Sequence, residues 1–370
     1  MALKQQAERR TQRRSQRPRG GRRRPEAPPV PAPPPARVLT ETEADRRVRA
    51  FLRGLPGASA ADLVPLAGDA STRRYYRLRG AQGGAVLSVY PEPIDAEQHP
   101  FLVVRQLMAG WGLPVPEVLK VDGPRGVLLL EDLGDQTLQE RVDVVGEEAQ
   151  AELYRQALDQ LVVLQRESVQ GAQRAVCFQI AFDYEKLAWE MHFFWKNFLE
   201  GYRHCDLSVE DRVSIAEGFH RLCSEIASWP RVLTHRDFHS RNLMWHDERL
   251  YWIDFQDARM GPATYDLASL LRDSYVDLPE GLVEDLSEEF RQRVVPGEGR
   301  DTFNRRLELM SIQRNLKALG TFGFQAAVKG NRVYLPYIPR TLVNARRNLA
   351  RYPELSGLRK ALARHLEELS

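Results

Sequence analysis

The pattern of hydrophobic and polar positions changes along this chain. Between residues 63 and 134, short apolar runs alternate with turns that contain glycine or proline, which predicts strands. From residue 147 onward apolar residues recur at helical spacing, and long helices are expected at 147–167, 183–200 and 208–228. The pattern therefore predicts a small β-rich N-terminal lobe and a larger helical lobe, with a cleft between them.

Cap and turn signals set the expected element boundaries. Thr40-Glu41-Thr42-Glu43 is a capping box, which predicts a helix that continues to about Leu52. A hairpin is expected around the turn His246-Asp247-Glu248, and further helices from about Tyr265 onward. The other expected elements are strands at 63–66, 75–78, 85–90 and 127–130 and a helix at 99–109. The chain is thus divided into a terminal arm, a β-rich lobe with a hinge, and a helical lobe, at 1–36, 37–134 and 135–370.

Charge is distributed unevenly along the 370 residues. Residues 1–36 hold Lys4 and nine arginines against Glu8 and Glu26, a net charge of 10 − 2 = +8; because the whole chain carries +3, the remainder carries 3 − 8 = −5. An arginine- and proline-rich segment buries too little apolar surface to offset its ordering entropy, so a disordered arm is expected. This arm is a candidate for weak contact with nucleic acid or an anionic surface. The alternative is a solvated extension or a mis-assigned start codon.

Other bulk properties exclude whole classes of protein. Hydrophobic residues make up 43% of the chain, which is typical of a globular protein. No apolar run is long enough for a transmembrane segment, and the N-terminus lacks the apolar core of a signal peptide. The three cysteines, Cys177, Cys205 and Cys223, have no metal-type spacing. Their odd number favours a reducing compartment and predicts a cytoplasmic protein.

The segment from His235 to Asn242 is the most informative part of the chain. It has the spacing H-x-D-x-H-x-x-N, and Asp254 follows twelve positions after Asn242, at the end of the expected hairpin. Phosphoryl transfer needs these residue types, because Asp237 can accept the proton of an attacking hydroxyl while Asn242 and Asp254 offer oxygen ligands to Mg²⁺. We therefore expect an ATP- and Mg²⁺-dependent phosphotransferase with Asp237 and His235 in its catalytic loop.

Two histidines and one further aspartate near this segment allow other roles. His235 and His239 are four residues apart, but zinc prefers a tighter set of His and Cys ligands than the sequence offers. Hydrogen bonds that orient the loop are therefore the preferred interpretation. Asp266 lies near the start of an expected helix after Gly261-Pro262, where it can accept backbone N–H groups of the catalytic loop. We expect a structural role for it.

Two earlier segments are candidates for nucleotide binding. Residues 67–72 lie between expected strands, and their small side chains would let backbone N–H groups and hydroxyls approach phosphates. Taken alone, this segment is also an ordinary hairpin turn. The apolar run at 128–133 would place adenine against leucines, most of which would belong to the core in any case. The candidate nucleotide-binding residues are Ala70, Ser71, Thr72, Arg74, Leu130, Glu131, Asp132 and Leu133.

Over about residues 40–350 these features resemble the aminoglycoside phosphotransferase and choline kinase family. Closer similarity, to bacterial kinases that phosphorylate the anomeric hydroxyl of N-acetylmuramate or N-acetylglucosamine in peptidoglycan recycling, lies in the segments 66–75, 128–134, 253–258, 261–267 and 313–320. The resemblance implies an α+β, protein-kinase-like bilobal fold with a small antiparallel β N-lobe and a larger helical C-lobe. It also implies that Asp237 is the base, that Asn242 and Asp254 hold magnesium, and that residues 130–133 bind adenine.

The chain departs from this resemblance on the third strand. Kinase-like folds usually carry there a lysine that pairs with a glutamate on the next helix. Residues 85–90 contain no lysine and residues 99–109 contain no glutamate. Because both partners are absent together, no buried charge is left without its pair. Arg73, Arg74 or Arg77 is expected to supply the cation instead.

The acceptor is the least determined part of the site. Sugar hydroxyls favour carboxylates and a planar cation, which nominates Asp257, Arg259 and Glu190; for Glu190 the alternative is an exposed helix position. A cationic acceptor such as an aminoglycoside, choline or another amino alcohol stays open, because the aromatic run Phe193-Phe194-Trp195 could surround an ammonium group. A third possibility is a non-catalytic nucleotide-binding scaffold that acts through its basic arm.

Overall fold

Five antiparallel strands form the N-terminal lobe in the computed structural model, which describes residues 39–55, 63–66, 73–79, 84–170 and 175–369. The strands are β1 (Leu63–Leu66), β2 (Arg74–Leu78), β3 (Ala85–Val89), β4 (Val118–Asp122) and β5 (Val127–Glu131). Their order in the sheet is β1-β2-β3-β5-β4. Four of them match the predicted strands. The prediction lacks β4 because this edge strand, Val-Leu-Lys-Val-Asp, is partly exposed and shows no clear apolar alternation.

Helices cover both faces of this sheet. They are α1 (Glu41–Leu52) and α2 (Pro100–Gly110). Thr40 caps α1 as predicted, because its side chain accepts a hydrogen bond from Glu43 N at 3.3 Å. Val48 of α1 packs in one apolar cluster with Val89 of β3, whereas α2 packs in the main core with Leu128 of β5. One face of the sheet therefore packs on α1, and part of the other face packs against the main core with α2.

The second lobe is mainly helical, as predicted. Its helices are α3 (Leu138–Val142), α4 (Glu147–Gln170), α5 (Tyr184–Phe194), α6 (Val209–Ala227), α7 (Thr264–Leu271), α8 (Glu280–Val294), α9 (Arg300–Ala327), α10 (Ile338–Leu349) and α11 (Ser356–Ala363). The helix expected at 183–200 is divided, because a π-helix at Trp195–Tyr202 follows α5. Asn197 Nδ2 donates a hydrogen bond to Phe193 O at 2.9 Å in this wider turn. Hydrophobic periodicity does not distinguish such a turn from an α-helix.

Two pairs of short strands hold the catalytic loop. They are β6 (Arg231–Thr234) with β9 (Arg259–Pro262), and β7 (Leu243–His246) with β8 (Arg249–Trp252). The second pair is the predicted hairpin, and its turn residues Asp247 and Glu248 have φ values of 45° and 57°, typical of a tight hairpin turn. The pairing of β6 with β9 is not predicted. It brings the two ends of the segment 235–258 together, so that the catalytic loop and Asp254 share one side of the lobe.

Helix α9 approaches α5 and the following π-helix at van der Waals distance between backbones. A Cβ atom added to Gly320 would lie 2.8 Å from Phe194 Cα, and one added to Gly323 would lie 2.5 Å from Asn197 O. Only glycine allows so close an approach. These contacts fix the position of α9, whose buried residues include Gln313, Arg314 and Asn315, relative to the rest of the lobe.

Within the described ranges, no helix combines the length and apolar character that crossing a lipid bilayer requires. The basic arm predicted at 1–36 lies outside the described residues, and so does the small-residue segment 67–72 with Ala70, Ser71 and Thr72.

We expect Gly323→Ala to lower the free energy of unfolding by about 1–3 kcal/mol, because the new methyl group would force α9 away from Asn197 O. Urea unfolding followed by circular dichroism measures this change. Gly110→Ala is the matched control, since no atom lies within 4 Å of its added Cβ, and it is expected to be neutral or slightly stabilising. Equal stability of the two variants would show that the close approach has no energetic consequence.

Candidate active site

The catalytic loop is held from behind by a buried carboxylate. Asp266, which is 0% exposed, accepts hydrogen bonds from His235 N at 2.6 Å and from Arg236 N at 3.0 Å. These bonds hold Arg236 at φ = 87°, a left-handed conformation that side chains other than glycine rarely adopt. Burial raises the pKa of Asp266 to about 7, although the two N–H donors oppose this shift. The predicted structural role of Asp266 is confirmed by these contacts.

His235 lies behind the loop, away from the cleft. It is fully buried, and burial lowers the pKa of its imidazole, so the ring is neutral. Its Nε2 lies 3.0 Å from Ile253 O and therefore donates a hydrogen bond to it. This bond ties the catalytic loop to the residue before Asp254, as expected if His235 orients the loop. Among the residues described, no three His, Cys, Asp or Glu side chains are grouped so that they could hold a metal.

The carboxylate of Asp237 is surrounded by cations. Lys317 Nζ donates to its Oδ1 at 2.7 Å and Arg314 Nη2 does so at 3.3 Å, while Arg236 Nε lies 3.8 Å from Oδ2. Burial alone would raise the pKa of Asp237, but the charges of Lys317, Arg236 and Arg314 outweigh burial and hold this pKa well below its usual range. Asp237 is therefore ionised, which is the form that can accept a proton.

Asn242 and Asp254 border the same cavity as Asp237. Asn242 Nδ2 donates to Asp237 O at 2.9 Å, so the amide group is fixed, and Ile253 N donates to Asn242 O at 3.1 Å, which brings Asp254 close. Asp254 has φ = 62°, another strained left-handed residue. One amide oxygen and one carboxylate are a donor set that Mg²⁺ uses when phosphates supply the other ligands. The residues present therefore fit a magnesium ion.

Arg73, the residue before β2, supplies a cation at Asp254. Its Nη2 lies 3.2 Å from Asp254 Oδ1 and its Nη1 donates to Gln256 Oε1 at 3.3 Å. The guanidinium also lies 5.7 and 5.6 Å from the ring centres of Tyr75 and Tyr90, which is cation–π distance. Of the three arginines considered for the missing lysine, Arg73 thus takes the position beside Asp254.

The three arginines have different environments. Arg77 lies at the hinge, where Nη2 donates to Asp132 Oδ1 at 3.0 Å and Nη1 donates to Asp135 Oδ2 at 2.8 Å. Arg74 is exposed, and the structure does not bring it to the cavity. The expected contact of Arg74 with the nucleotide is therefore not supported by its position, because alternate residues of β2 point to opposite faces. Strand β3, where kinase-like folds usually carry a lysine, has instead a buried serine, Ser88.

The N-lobe end of the cavity combines apolar side chains with charged residues of β2 and the hinge. The whole cavity measures about 750 Å³. Its N-lobe lining includes Leu66, Tyr75, Val86, Phe101, Leu130, Glu131, Asp132 and Leu133. Leu130 and Leu133 are buried, as a surface against adenine requires, whereas Glu131 Oε2 accepts a hydrogen bond from Glu117 N at 3.0 Å and so braces the hinge. The predicted segment 130–133 is thus placed at the cavity.

The C-lobe end of the cavity combines aromatic rings with cations. Its lining includes Arg241, Arg272, Asp273, Tyr275, Arg314, Lys317, Phe322 and Tyr334. The guanidinium of Arg241 lies 5.1 Å from the ring centre of Tyr275 and 5.5 Å from that of Tyr334. Asp273 Oδ2 accepts a hydrogen bond from Ser240 N at 2.9 Å and so anchors the end of the catalytic loop. Arg272 is paired with Glu280, so Arg241, Arg314 and Lys317 against the carboxylates of Asp237 and Asp273 leave this end with a small excess of positive charge.

The three residues nominated for the acceptor lie beside the loop and outside the cavity lining. Glu190 is only 1% exposed and accepts a hydrogen bond from Gln313 Nε2 at 2.8 Å, so the alternative of an exposed position is wrong. Asp257 Oδ2 lies 3.0 Å from Arg236 Nη1. Arg259 lies over the ring of Phe182, 5.3 Å from its centre. Arg236 contacts both Asp257 and Asp237. Asp257 therefore lies next to the base but outside the cavity lining.

Arg314 and Lys317 are the functional residues that sequence reasoning did not identify. The segment 313–320 is singled out only by its resemblance to the sugar kinases. A usable signal is present nevertheless: two cations three residues apart share one face of a helix. Their partner, however, lies about eighty residues earlier in the chain, and no local pattern indicates that contact.

Comparisons with known proteins agree with this geometry. The model of the phosphotransferase enzyme family matches residues 62–302. The chain is 35% identical over 313 residues to an N-acetylmuramate/N-acetylglucosamine kinase of Pseudomonas aeruginosa, which covers 82% of this chain and 88% of that protein. A protein of the same name from Neisseria meningitidis is 34% identical over 304 residues, or 80% of this chain and 88% of its own.

Solved structures share the fold at lower identity. A choline/ethanolamine kinase family protein from Mesorhizobium loti superposes with a TM-score of 0.54 at 19% identity, over 88% of this chain and 98% of its own. An aminoglycoside phosphotransferase with ADP bound gives a TM-score of 0.53 at 15% identity, over 81% of this chain and 97% of its own. The protein-kinase-like fold expected from the sequence is thereby confirmed. Catalytic loop, family match and fold together show that this chain belongs to the phosphotransferase enzyme family.

Proposed function

We propose that this phosphotransferase uses ATP and Mg²⁺ to phosphorylate the anomeric hydroxyl of an N-acetylated amino sugar, either N-acetylmuramate or N-acetylglucosamine. The observation that carries the proposal is the ionised Asp237 beside Asn242 and Asp254 in one cavity. The choice of acceptor is supported by the names of relatives that are 30–35% identical to this chain. A cytoplasmic site of action is part of the proposal, and the free thiols of Cys177, Cys205 and Cys223 agree with it.

The residues around the cavity divide the work of phosphoryl transfer. Asp237 would orient the acceptor hydroxyl and take its proton as the oxygen attacks the γ-phosphorus. An anomeric hydroxyl is more acidic than an ordinary alcohol, so a carboxylate of low pKa is a sufficient base. Asn242 and Asp254 would hold Mg²⁺, which neutralises charge on the phosphates. Leu130 and Leu133 would pack against adenine.

The positive charge at the C-lobe end disfavours a cationic acceptor. Arg241, Arg314 and Lys317 would repel an aminoglycoside or choline, whereas a neutral or anionic sugar could stack on Tyr275. The run Phe193-Phe194-Trp195 lies outside the cavity lining, and Phe194 is buried in the core. The aromatic cage suggested for an ammonium group therefore has no support in these positions.

Three nominated residues and the arm remain proposals. Asp257, Arg259 and Glu190 would act from beside the catalytic loop, to which Arg236 links Asp257. Contact of the basic arm with nucleic acid or an anionic surface remains a prediction from its charge, without support from the named relatives.

Incubation of the protein with ATP, Mg²⁺ and either sugar is expected to release ADP and to form an acid-labile sugar 1-phosphate. A coupled ADP assay measures turnover, and phosphorus NMR identifies the phosphorylated position. Choline and an aminoglycoside, tested in parallel, are expected to give little turnover because of the cations near Asp237. The proposal is wrong if neither sugar is phosphorylated, or if only the cationic compounds are.

Asp237→Asn is expected to lower kcat by about 10²–10⁴-fold, because an amide cannot take the acceptor's proton. The affinity for ATP, measured by calorimetry, should change little. Asp277→Asn provides the matched control, because Asp277 is exposed and lies outside the cavity lining. A kcat for Asp237→Asn close to that of the control would exclude the assigned role.

Asp266→Asn is expected to lower kcat by about 100-fold with ATP affinity nearly intact. The amide nitrogen would face one of the two backbone N–H donors, so one hydrogen bond is lost and the base moves out of alignment. The pH dependence of stability provides a second readout. Because the folded-state pKa of Asp266, about 7, lies above its ordinary value, its contribution to stability is greatest below about pH 4 and decreases as the pH rises to about 7.

Urea unfolding at several pH values measures this contribution, with Asp277→Asn again as control. The decrease should be smaller in Asp266→Asn than in the control. Identical profiles for the two variants would contradict the pKa assigned to Asp266.

A further inference from the structure

The ion pair between Lys317 and Asp237 has a geometry that pairing alone does not require. Lys317 and Arg314 approach the same oxygen, Oδ1, at 2.7 and 3.3 Å. Arg314 is buried and donates from Nη1 to Tyr265 OH at 2.7 Å, so its guanidinium is held by a second partner. Lys317 keeps 17% of its side chain exposed, and it borders the cavity. Both cations border the cavity, but Lys317 has the more exposed side chain, 17% against 8% for Arg314, and therefore the better access to a substrate.

The position of the acceptor oxygen follows from that of Asp237. A hydroxyl that gives its proton to this carboxylate must lie within about 3.2 Å of it. Since Lys317 Nζ is 2.7 Å from Oδ1, the acceptor oxygen and the ammonium can be at most about 6–8 Å apart, depending on which carboxylate oxygen takes the proton. An ammonium has three donors, and one is directed to Asp237. The other two can reach toward the acceptor oxygen and the phosphoryl group that becomes bonded to it.

Other cations near the base are committed elsewhere. Arg73 contacts Asp254, at the metal side, and Arg236 contacts Asp257 without bordering the cavity. On the acceptor side of Asp237, Lys317 is thus the cation that is placed and exposed so that it can contact the charge on a transferred phosphoryl group.

We propose that Lys317 is a catalytic residue that donates hydrogen bonds to the transferred phosphoryl group while it holds Asp237 in place. The inference rests on the proposed function and adds a role in the same reaction. The acceptor oxygen forms a bond to the γ-phosphorus as the bond from this phosphorus to the β–γ bridging oxygen breaks. The broken bond leaves its electron pair on ADP, and the acceptor proton passes to Asp237. Lys317 gives up no proton in this step: burial lowers the pKa of its ammonium, but the carboxylate of Asp237 opposes this shift. The ammonium keeps the phosphoryl oxygens in line.

Lys317→Met tests the proposal because it keeps the length of the side chain and removes the charge. We expect kcat to fall by about 10²–10³-fold, while KM for ATP and for the sugar stays within about threefold. Lys329→Met is the matched control, since Lys329 is exposed just beyond the same helix, and its kcat should equal that of the wild type. Thermal unfolding of each variant checks that it is folded.

Chemical rescue separates catalysis from a structural role. Ethylammonium should restore part of the kcat of Lys317→Ala in a saturable manner, and tetramethylammonium, which has no N–H donor, should not. If Lys317→Met proves unstable, Lys317→Arg keeps the charge, and at equal folding it should retain more activity than Lys317→Ala. A kcat within threefold of the wild type, a loss confined to KM, or no rescue by ethylammonium would each overturn the proposal.

Failure of the sugar kinase assignment can be told apart from failure of this inference. If the wild type phosphorylates neither sugar, the proposed function is wrong. The role of Lys317 is then measured on the hydrolysis of ATP, in which water takes the place of the sugar hydroxyl. Lys317→Met should slow this hydrolysis as well, and hydrolysis at the wild-type rate would refute the role.

Discussion

The carboxylate of Asp237, a half-buried group that borders the cavity, must be paired, and much of the C-lobe arrangement follows from this constraint. An isolated charge in a protein interior is strongly unfavourable, so Asp237 requires cations within hydrogen-bond distance. Two of them come from α9, about eighty residues later in the chain. Helix α9 reaches this position because Gly320 and Gly323 let it lie directly against α5 and the π-helix. Backbone packing in one part of the lobe thereby sets the electrostatics of the base in another.

The elements that the sequence predicts well are those whose signals are local. The hairpin around Asp247 and Glu248, the cap at Thr40 and the strands β1, β2, β3 and β5 depend on residues that are neighbours in the chain. The loop with Asp237 and Asn242 could be recognised because phosphoryl transfer demands that spacing. The edge strand β4, the π-helix and the contact of Lys317 with Asp237 have no such local signal. Each depends on which segments become neighbours after folding, and this is decided by the packing of the whole lobe.

Strand β3 has no lysine, and a cation reaches the site from the start of β2 instead. Ser88 is buried where an unpaired lysine would be unfavourable, and the helix that follows carries no glutamate to pair with it. Arg73 brings a cation to Asp254 from the residue before β2. An arginine on a strand end can follow the phosphates over a longer reach than a lysine in mid-strand, and its planar donors suit oxygen pairs.

The backbone is strained at two residues of the site. In both cases a buried hydrogen bond at that residue or its neighbour holds the strained conformation. Arg236 has φ = 87° where Asp266 accepts its N–H, and Asp254 has φ = 62° directly after the residue whose carbonyl accepts from His235. Left-handed conformations of such residues are unfavourable by about 1–3 kcal/mol and persist only when the surroundings determine them. His235 and Asp266 hold these conformations by hydrogen bonds from behind the loop, where no substrate can compete for the same donors and acceptors. The fully buried pair therefore acts on catalysis only through position: it fixes the backbone that presents Asp237 and Asp254 to the cavity.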